Sequence, residues 1–349
     1  MVGISGKLSW SLIMSATIRR RTFLTGCASG AAGVALLGGQ PAQGQPAAPA
    51  TDRSPAAAGA EAKGFTVYSF GHNVWVRLND RPFTCYRANP DQKLPYFFPV
   101  AGPATGLPMT EESGDPARYP HHRSVWLGCD MMNGQNFWQD TAARGQIVSR
   151  GPKAVLVHPP AGQGPSAQRV LITDACDWQA PGKPPVLADR REFVMAAPDK
   201  DTRILDASIR LEALADVRVN KTNHSLFSVR AALELAPLGG GRLVNSDGRQ
   251  GQEATLGRPA RWCGFQGTRL GATESIVLMD HPRNPWAPDC PWMTRDYGFI
   301  SPTPFNWLGQ EGWRLPKGDA VQLRYRVAVL AGAIDKDRVD GLWAAFAGA

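Results

Sequence analysis

No segment beyond the first forty residues carries eighteen continuous apolar side chains, so no part of the body is built to span a bilayer as a helix. No Lys/Arg block follows the N-terminal arginines, and the formal charge of +8 therefore does not signal nucleic-acid binding. Cys-x-x-Cys is missing. Cys85, Cys129, Cys176, Cys263 and Cys290 are odd in number and widely spaced, which excludes a disulfide framework and a zinc knuckle. Buried thiols are the expectation for them, with one or two disulfides after export as the alternative. Before residue 335 no long stretch repeats its apolar residues with a helical period, which argues against a bundle, and no internal repeat is visible.

What is present begins with Thr17-Ile18-Arg19-Arg20-Arg21-Thr22-Phe23-Leu24. Paired arginines, x-Phe-Leu and a small-residue apolar run to Gly39 read as a twin-arginine export signal over residues 1–45. The implied partner is the twin-arginine translocase, and the implied location is the periplasm or the exterior, with no transmembrane anchor kept. Cys27 follows the arginines too closely to be a lipoprotein cysteine. Residues 46–63 are Ala- and Pro-rich and read as a disordered linker.

From Phe65 the pattern changes to short runs rich in β-branched and aromatic residues, separated by Gly, Pro, Asn and Asp. Val321 to Val329 is the clearest, with a large apolar residue at every second position, one face buried and one wet. The body, residues 64–332, is expected to be all-β: one sandwich of two large antiparallel sheets. Residues 333–349 read as a tail or short helix. Pro95 to Ala117, Asp280 to Phe305 and Trp307 to Trp313 read as long aromatic loops. Tryptophan beside charged and amide groups suits a sugar, which offers a ring face to stack on and hydroxyls to bond. Capping of the sandwich ends is the alternative use of these rings.

Four clusters carry possible chemistry. In Tyr119-Pro120-His121-His122-Arg123-Ser124-Val125-Trp126, strand alternation would put His121 with Arg123 on one face and His122 with Ser124 on the other. A His–His metal pair is then a poor reading, and a single acid–base histidine beside an arginine a better one. In Val277-Leu278-Met279-Asp280-His281-Pro282-Arg283-Asn284, an apolar strand runs into a carboxylate and a histidine. Trp292-Met293-Thr294-Arg295-Asp296-Tyr297 packs polar and aromatic groups closely, although Arg295 and Asp296 could simply pair with each other. Thr222-Asn223-His224-Ser225-Leu226-Phe227 is the fourth.

That last segment resembles the Thr-Asn-His-Ser-x-Phe segment of aldose 1-epimerases, the galactose mutarotases. The resemblance implies a galactose mutarotase-like β-supersandwich with His224 as acid and, at the end of a late strand, Asp280 as base. Across Phe65 to Gly332 the chain also resembles an exported bacterial family of unknown function called "PmoA". The segments that carry this are Pro120 to Trp126, Asn133-Gly134 with Phe137-Trp138, Arg258 to Trp262, Asp280 to Pro285, and Trp292 to Gly298 with Pro304-Phe305. The chain departs from that pattern at Tyr119, where a histidine is expected. The methane oxidation suggested by that name does not suit a chain without membrane helices.

The resulting expectation is a carbohydrate-active protein. Its catalytic residues would come from His121, His122, His224 and Asp280. Its sugar-binding side chains would come from Arg123, Trp126, Trp138, His281, Asn284, Trp292, Arg295, Asp296 and Tyr297. The ligand is a sugar or glycoside, with no cofactor or metal required. A non-catalytic sugar-binding protein is one alternative. A metal-dependent oxygenase, half assembled from His121, His281 and Asp280, is another. Export is testable directly. Replacing Arg20 and Arg21 by Lys should leave precursor in the cytoplasm, because a point charge does not reproduce the planar guanidinium; unchanged periplasmic yield on fractionation would remove the twin-arginine reading.

Overall fold

The structure, a computed structural model, describes residues 64–113, 119–139, 144–159 and 165–349. The expected signal and linker lie outside the described residues. Nineteen strands are present among them. They begin with β1 (Phe65–Phe70), β2 (Asn73–Leu78), β3 (Arg81–Arg87), β4 (Tyr96–Val100), β5 (Val125–Cys129), β6 (Gln146–Ser149) and β7 (Lys153–Val157). The long central strands follow: β8 (Arg169–Gln179), β9 (Leu187–Asp199) and β10 (Thr202–Ala213), then β11 (Val217–Val219), β12 (Ser225–Arg230) and β13 (Arg242–Asn245). The rest are β14 (Trp262–Arg269), β15 (Ala272–Asp280), β16 (Trp292–Arg295), β17 (Phe299–Pro302), β18 (Trp313–Leu315) and β19 (Ala320–Ala331). Two helices join them, α1 (Gly251–Thr255) and α2 (Lys336–Ala347).

The strands form two large antiparallel sheets. The first runs β1-β2-β3-β4-β5-β12-β17-β16 and the second β13-β14-β15-β19-β10-β9-β8-β6, with β7 also paired to β8. β11 and β18 make a small separate ribbon. This is the all-β antiparallel sandwich that the alternating runs predict. The core between the sheets is aromatic and aliphatic: Tyr86, Phe97 and Phe193 meet with ring centroids 4.8 to 5.2 Å apart, and Phe227 of β12 stacks on Tyr325 of β19 at 4.9 Å. All five cysteines of the body are free and buried.

Two expectations change. Strand β19 does not have one wet face. Leu323, Tyr325, Val327 and Val329 face the first sheet, but Ala328 and Leu330 are buried too, under Val339 and Phe346 of α2. Arg326 on that face is held by Asp206, with Nε to Oδ1 at 2.6 Å, and donates to the carbonyl of Leu342. The C-terminal helix is thus a third layer over the second sheet. Asp280 to Phe305 is not one long loop either. It contains β16 and β17, the edge of the first sheet, four residues each and too uniformly buried to show alternation. Pro95 to Ala117 likewise contains β4.

The loop after β4 is pinned across the sandwich by Glu274 of β15, whose side chain is fully buried. Its carboxylate accepts from the Ala104 and Thr105 amides at 3.0 and 3.1 Å, from the Thr105 hydroxyl, and from Arg269 Nη2 at 3.1 Å. Gly102 is required where this carboxylate passes, since a Cβ there would sit 2.1 Å from Oε1. Glu274→Ala would orphan the Arg269 charge and two amides, an expected loss of about 3–5 kcal/mol. Breaking the half-exposed Arg150–Asp177 pair by Asp177→Ala should cost under about 1 kcal/mol. Denaturant midpoints compare the two; equal losses would show that Glu274 is not a clamp.

Candidate active site

The outward face of the first sheet carries the candidate site. β5 and β12 are antiparallel neighbours, with Ser225 opposite Cys129 and Val229 opposite Val125. His224 therefore lies just before β12, beside Asp130 just after β5, and the Asp130 amide donates to the His224 carbonyl at 3.0 Å. His121 and His122 precede β5 at its other end. They reach His224 because residues 119–122 form a turn, the His122 amide donating to the Tyr119 carbonyl at 3.1 Å, which folds back over Trp126. Ser124, with φ of 68°, reverses the chain where this turn enters β5. The alternation expected of a strand fails here for that reason. His121 and His122 both reach one cleft, with ring centroids 4.7 Å apart, and His121 is 5.3 Å from His224. Arg123 turns away and donates to the Ser113 carbonyl at 2.6 Å.

The cleft has a volume of about 190 Å³. Tyr119, His121, His122, Asn223 and His224 line one part, and Met293, Arg295, Tyr297 and Phe299 the other. Tyr119 stacks on Tyr297 at 4.3 Å and on His122 at 5.2 Å. Trp126 and Trp138 lie beneath, 5.6 Å from the His122 ring and 5.8 Å from the His224 ring respectively. Arg230 sits over the Tyr297 ring at 4.8 Å while Glu111 accepts from its Nε and Nη2 at 3.1 and 2.9 Å.

His224 is the imidazole best placed to exchange a proton. Its Nδ1 lies 3.1 Å from Asp130 Oδ2, and the other carboxylate oxygen accepts from the Thr222 hydroxyl. A carboxylate can only accept, so Nδ1 carries the proton and Nε2 is left for the cleft. The carboxylate behind the ring fixes its orientation and tautomer. His122 is different. Burial, followed by the charges of His121, Arg230 and His224, lowers its pKa to about 2, so it is neutral at any working pH. Burial raises the Tyr297 hydroxyl above its ordinary value, so it remains a phenol.

The other sequence candidates do not join the cleft. Asp280 pairs with Tyr325 on β19 and faces the interior of the sandwich. Asn284 Nδ2 donates to its Oδ1 at 2.6 Å and also bonds the Arg324 backbone. His281 points the opposite way, into a separate hollow under Phe346 with Glu192, Ser208 and Arg324. Trp292 is fully buried and donates to the Ala260 carbonyl at 2.8 Å. Asp296 does not pair with Arg295; it exchanges hydrogen bonds with Gln252 at 2.9 and 3.2 Å. Asp130, Arg230 and Phe299 carry no signal as site residues in the sequence, and Tyr119 and Asn223 stand in the histidine motifs without an assigned role. Among the described residues no three His, Cys, Asp or Glu side chains are placed to hold one metal ion, and no helix is long and apolar enough to cross a membrane.

The chain belongs to a family of unknown function, DUF6807, whose sequence profile matches residues 73–344. No curated protein sequence matches it. Among solved structures it is similar to galactose 1-epimerase from Lactobacillus acidophilus NCFM, at 10% identity and a TM-score of 0.34, over 77% of this chain and 99% of that one. It is also similar to the GH36 α-galactosidase AgaB from Geobacillus stearothermophilus, at 8% identity and a TM-score of 0.36, over 77% of this chain. The chain spans 41% of the length of that α-galactosidase.

Asp280 yields a pH prediction. Burial raises its pKa from 3.8 to about 7. The folded protein then holds a proton that the unfolded chain releases, so this group's stabilisation is complete below about pH 4 and is lost as pH rises through 7. The change is on the order of a few kcal/mol. Thermal melts of Asp280→Asn should be flatter than wild type between about pH 4 and 7, and identical slopes would remove the assignment.

Proposed function

We propose that this member of the family binds a monosaccharide-sized sugar or glycoside in the cleft on the outward face of the first sheet, and exchanges a proton with it through His224. The observation that carries this reading is the Asp130–His224 pair on the cleft wall, above the aromatic floor of Trp126 and Trp138. The rings that line the cleft, Tyr119, Tyr297 and Phe299, suit the apolar face of a pyranose, and Asn223 and Tyr297 supply bonds for hydroxyls. The volume equals some six water molecules at roughly 30 Å³ each, the space of one sugar ring.

The lining favours one class of chemistry. Glycoside hydrolysis commonly uses two carboxyl groups flanking the bond. Among the described residues no Asp or Glu lines this cleft; Asp130 is committed to His224 and Glu111 to Arg230. A single orientable imidazole suits reversible proton transfer, as in ring opening, epimerisation or enolisation of a carbonyl form. Neutral His122 is a fixed hydrogen-bonding partner in this scheme, and Arg295 holds a ligand oxygen. The Arg20-Arg21 motif supports action outside the cytoplasm.

The test is proton NMR of a panel of aldoses, ketoses and keto-sugars in deuterated water, following anomer exchange, epimerisation and deuterium incorporation. His224→Gln should lower any activity found by about 10²–10⁴-fold. Asp130→Asn should lower it by a similar order, with thermal melting close to wild type. Full activity in His224→Gln would remove the assignment. Sugar binding without turnover or exchange in the wild type would favour the non-catalytic binding protein.

A further inference from the structure

Charge in the cleft is unbalanced. Arg295 lines it, donating from Nη1 to the Thr294 carbonyl at 3.1 Å and to the hydroxyl of Tyr297 beside it. A guanidinium has five N–H donors, so most of its capacity is unspent on the protein. Among the described residues no carboxylate pairs with Arg295, whereas Arg87, Arg191, Arg230, Arg269 and Arg326 each have one. The nearby Arg230 has a carboxylate on one side only, and its buried Nη1 has no partner. His122, 2% exposed and lining the cleft, has Nδ1 unsatisfied. A buried polar atom left without a partner is destabilising unless something fills the place. Positive groups and an orphaned polar atom thus lie around one small cavity that, among the described residues, is lined by no acidic side chain. The positive field also shows in His122, whose charged form is opposed by Arg230, His121 and His224 after burial itself.

We propose that the ligand is an acidic sugar, a monosaccharide carrying a carboxylate or phosphate group, and that Arg295 is the residue that selects the anion. The inference rests on the sugar reading of this cleft and narrows it. Arg295 sits on β16, the edge strand of the first sheet, so its guanidinium meets the ligand at the end of the cleft where β16 and β17 close it. The planar fork accepts a carboxylate or phosphate through two parallel hydrogen bonds. His224 stands across the cleft, so the anion fixes which ring atom meets its Nε2.

The experiment is isothermal titration of full-length mature protein with matched pairs: galacturonate and galactose 6-phosphate against galactose, and glucuronate against glucose. Inorganic phosphate alone is a further arm. At low salt an acidic member should bind at least tenfold more tightly than its neutral parent. Its Kd should rise several-fold between 50 and 300 mM salt while the neutral sugar's Kd stays level. Arg295→Gln should bring the acid-to-neutral ratio close to one, whereas Arg314→Gln, on the exposed face of the two-stranded ribbon, should leave it unchanged. The uronate and phosphate arms separate the two anion sources. Neutral sugars binding as tightly as acidic ones overturn the anion preference and leave the sugar reading standing. Binding of inorganic phosphate but of no sugar, or of nothing at all, overturns both. If Arg295→Gln does not fold, the salt dependence of the wild type decides, and a salt-independent Kd for the acidic sugar overturns the proposal.

Discussion

Two residues in an unfavourable backbone conformation hold the candidate site together. Ser124 and Leu226 have φ of 68° and 66°, a region that side chains other than glycine avoid. Each costs on the order of 1–3 kcal/mol and persists only where its surroundings leave no alternative. Ser124 is fully buried, donates its hydroxyl to Thr110 at 2.6 Å and accepts at its carbonyl from the Arg230 amide at 2.7 Å. Leu226 is buried opposite Gly128, where a Cβ would meet the Phe137 carbonyl at 2.8 Å. The first turns the chain so that His121 and His122 fold back over β5. The second lies two residues after His224, within the unbroken pairing of β12 with β5 that keeps His224 beside Asp130.

The same framework separates two kinds of buried polarity. Away from the cleft, polar groups in the sandwich are closed on one another: Asp189 accepts two bonds from Arg191 and one from Trp178, all at 2.7 Å, and Asp174 accepts from Tyr86 and Ser149 at 2.8 Å. Around the cleft they are left open. Nδ1 of His122, Nη1 of Arg230 and Nε1 of both Trp126 and Trp138 are buried with no partner. Partnerless buried atoms also occur elsewhere, at Thr84, Asn245, Arg269, Ser275 and His281, but around the cleft four of them gather beside one cavity, where an entering ligand could meet them.

The sequence made the fold legible where strands alternate and obscured it where they do not. Val321 to Val329 could be read as a strand because its inward residues are large and regularly spaced. Its outward face is not wet because α2, the next element along the chain, folds back over it, and the weak patterning of α2 does not announce this. β16 and β17 are short and buried on both sides, so nothing in their sequence distinguishes them from an aromatic loop. In the site, His224 was legible through its local motif, and Arg295, Tyr297, His121 and His122 through their density of chemistry. The meeting of His121 with His122 was not, since strand geometry forbids it and only the turn at 119–122 with the left-handed Ser124 allows it.

Asp130 and Asp280 show where local reading stops. Both end an apolar strand, Val125-Trp126-Leu127-Gly128-Cys129 in one case and Ile276-Val277-Leu278-Met279 in the other. By sequence alone they are equivalent carboxylates entering a loop. Their difference is set by pairing with strands far away in the chain. β5 pairs with β12, which brings Asp130 beside His224 across 94 residues of sequence. β15 pairs with β19, which puts Asp280 opposite Tyr325 and turns it into the core, where burial favours the protonated acid. A carboxylate beside the cleft can orient an imidazole; one turned into the core and held by Asn284 can only brace the strand end. The signature that suggested a base at Asp280 therefore had a second match, and the partner strand of each decided which carboxylate faces the histidines.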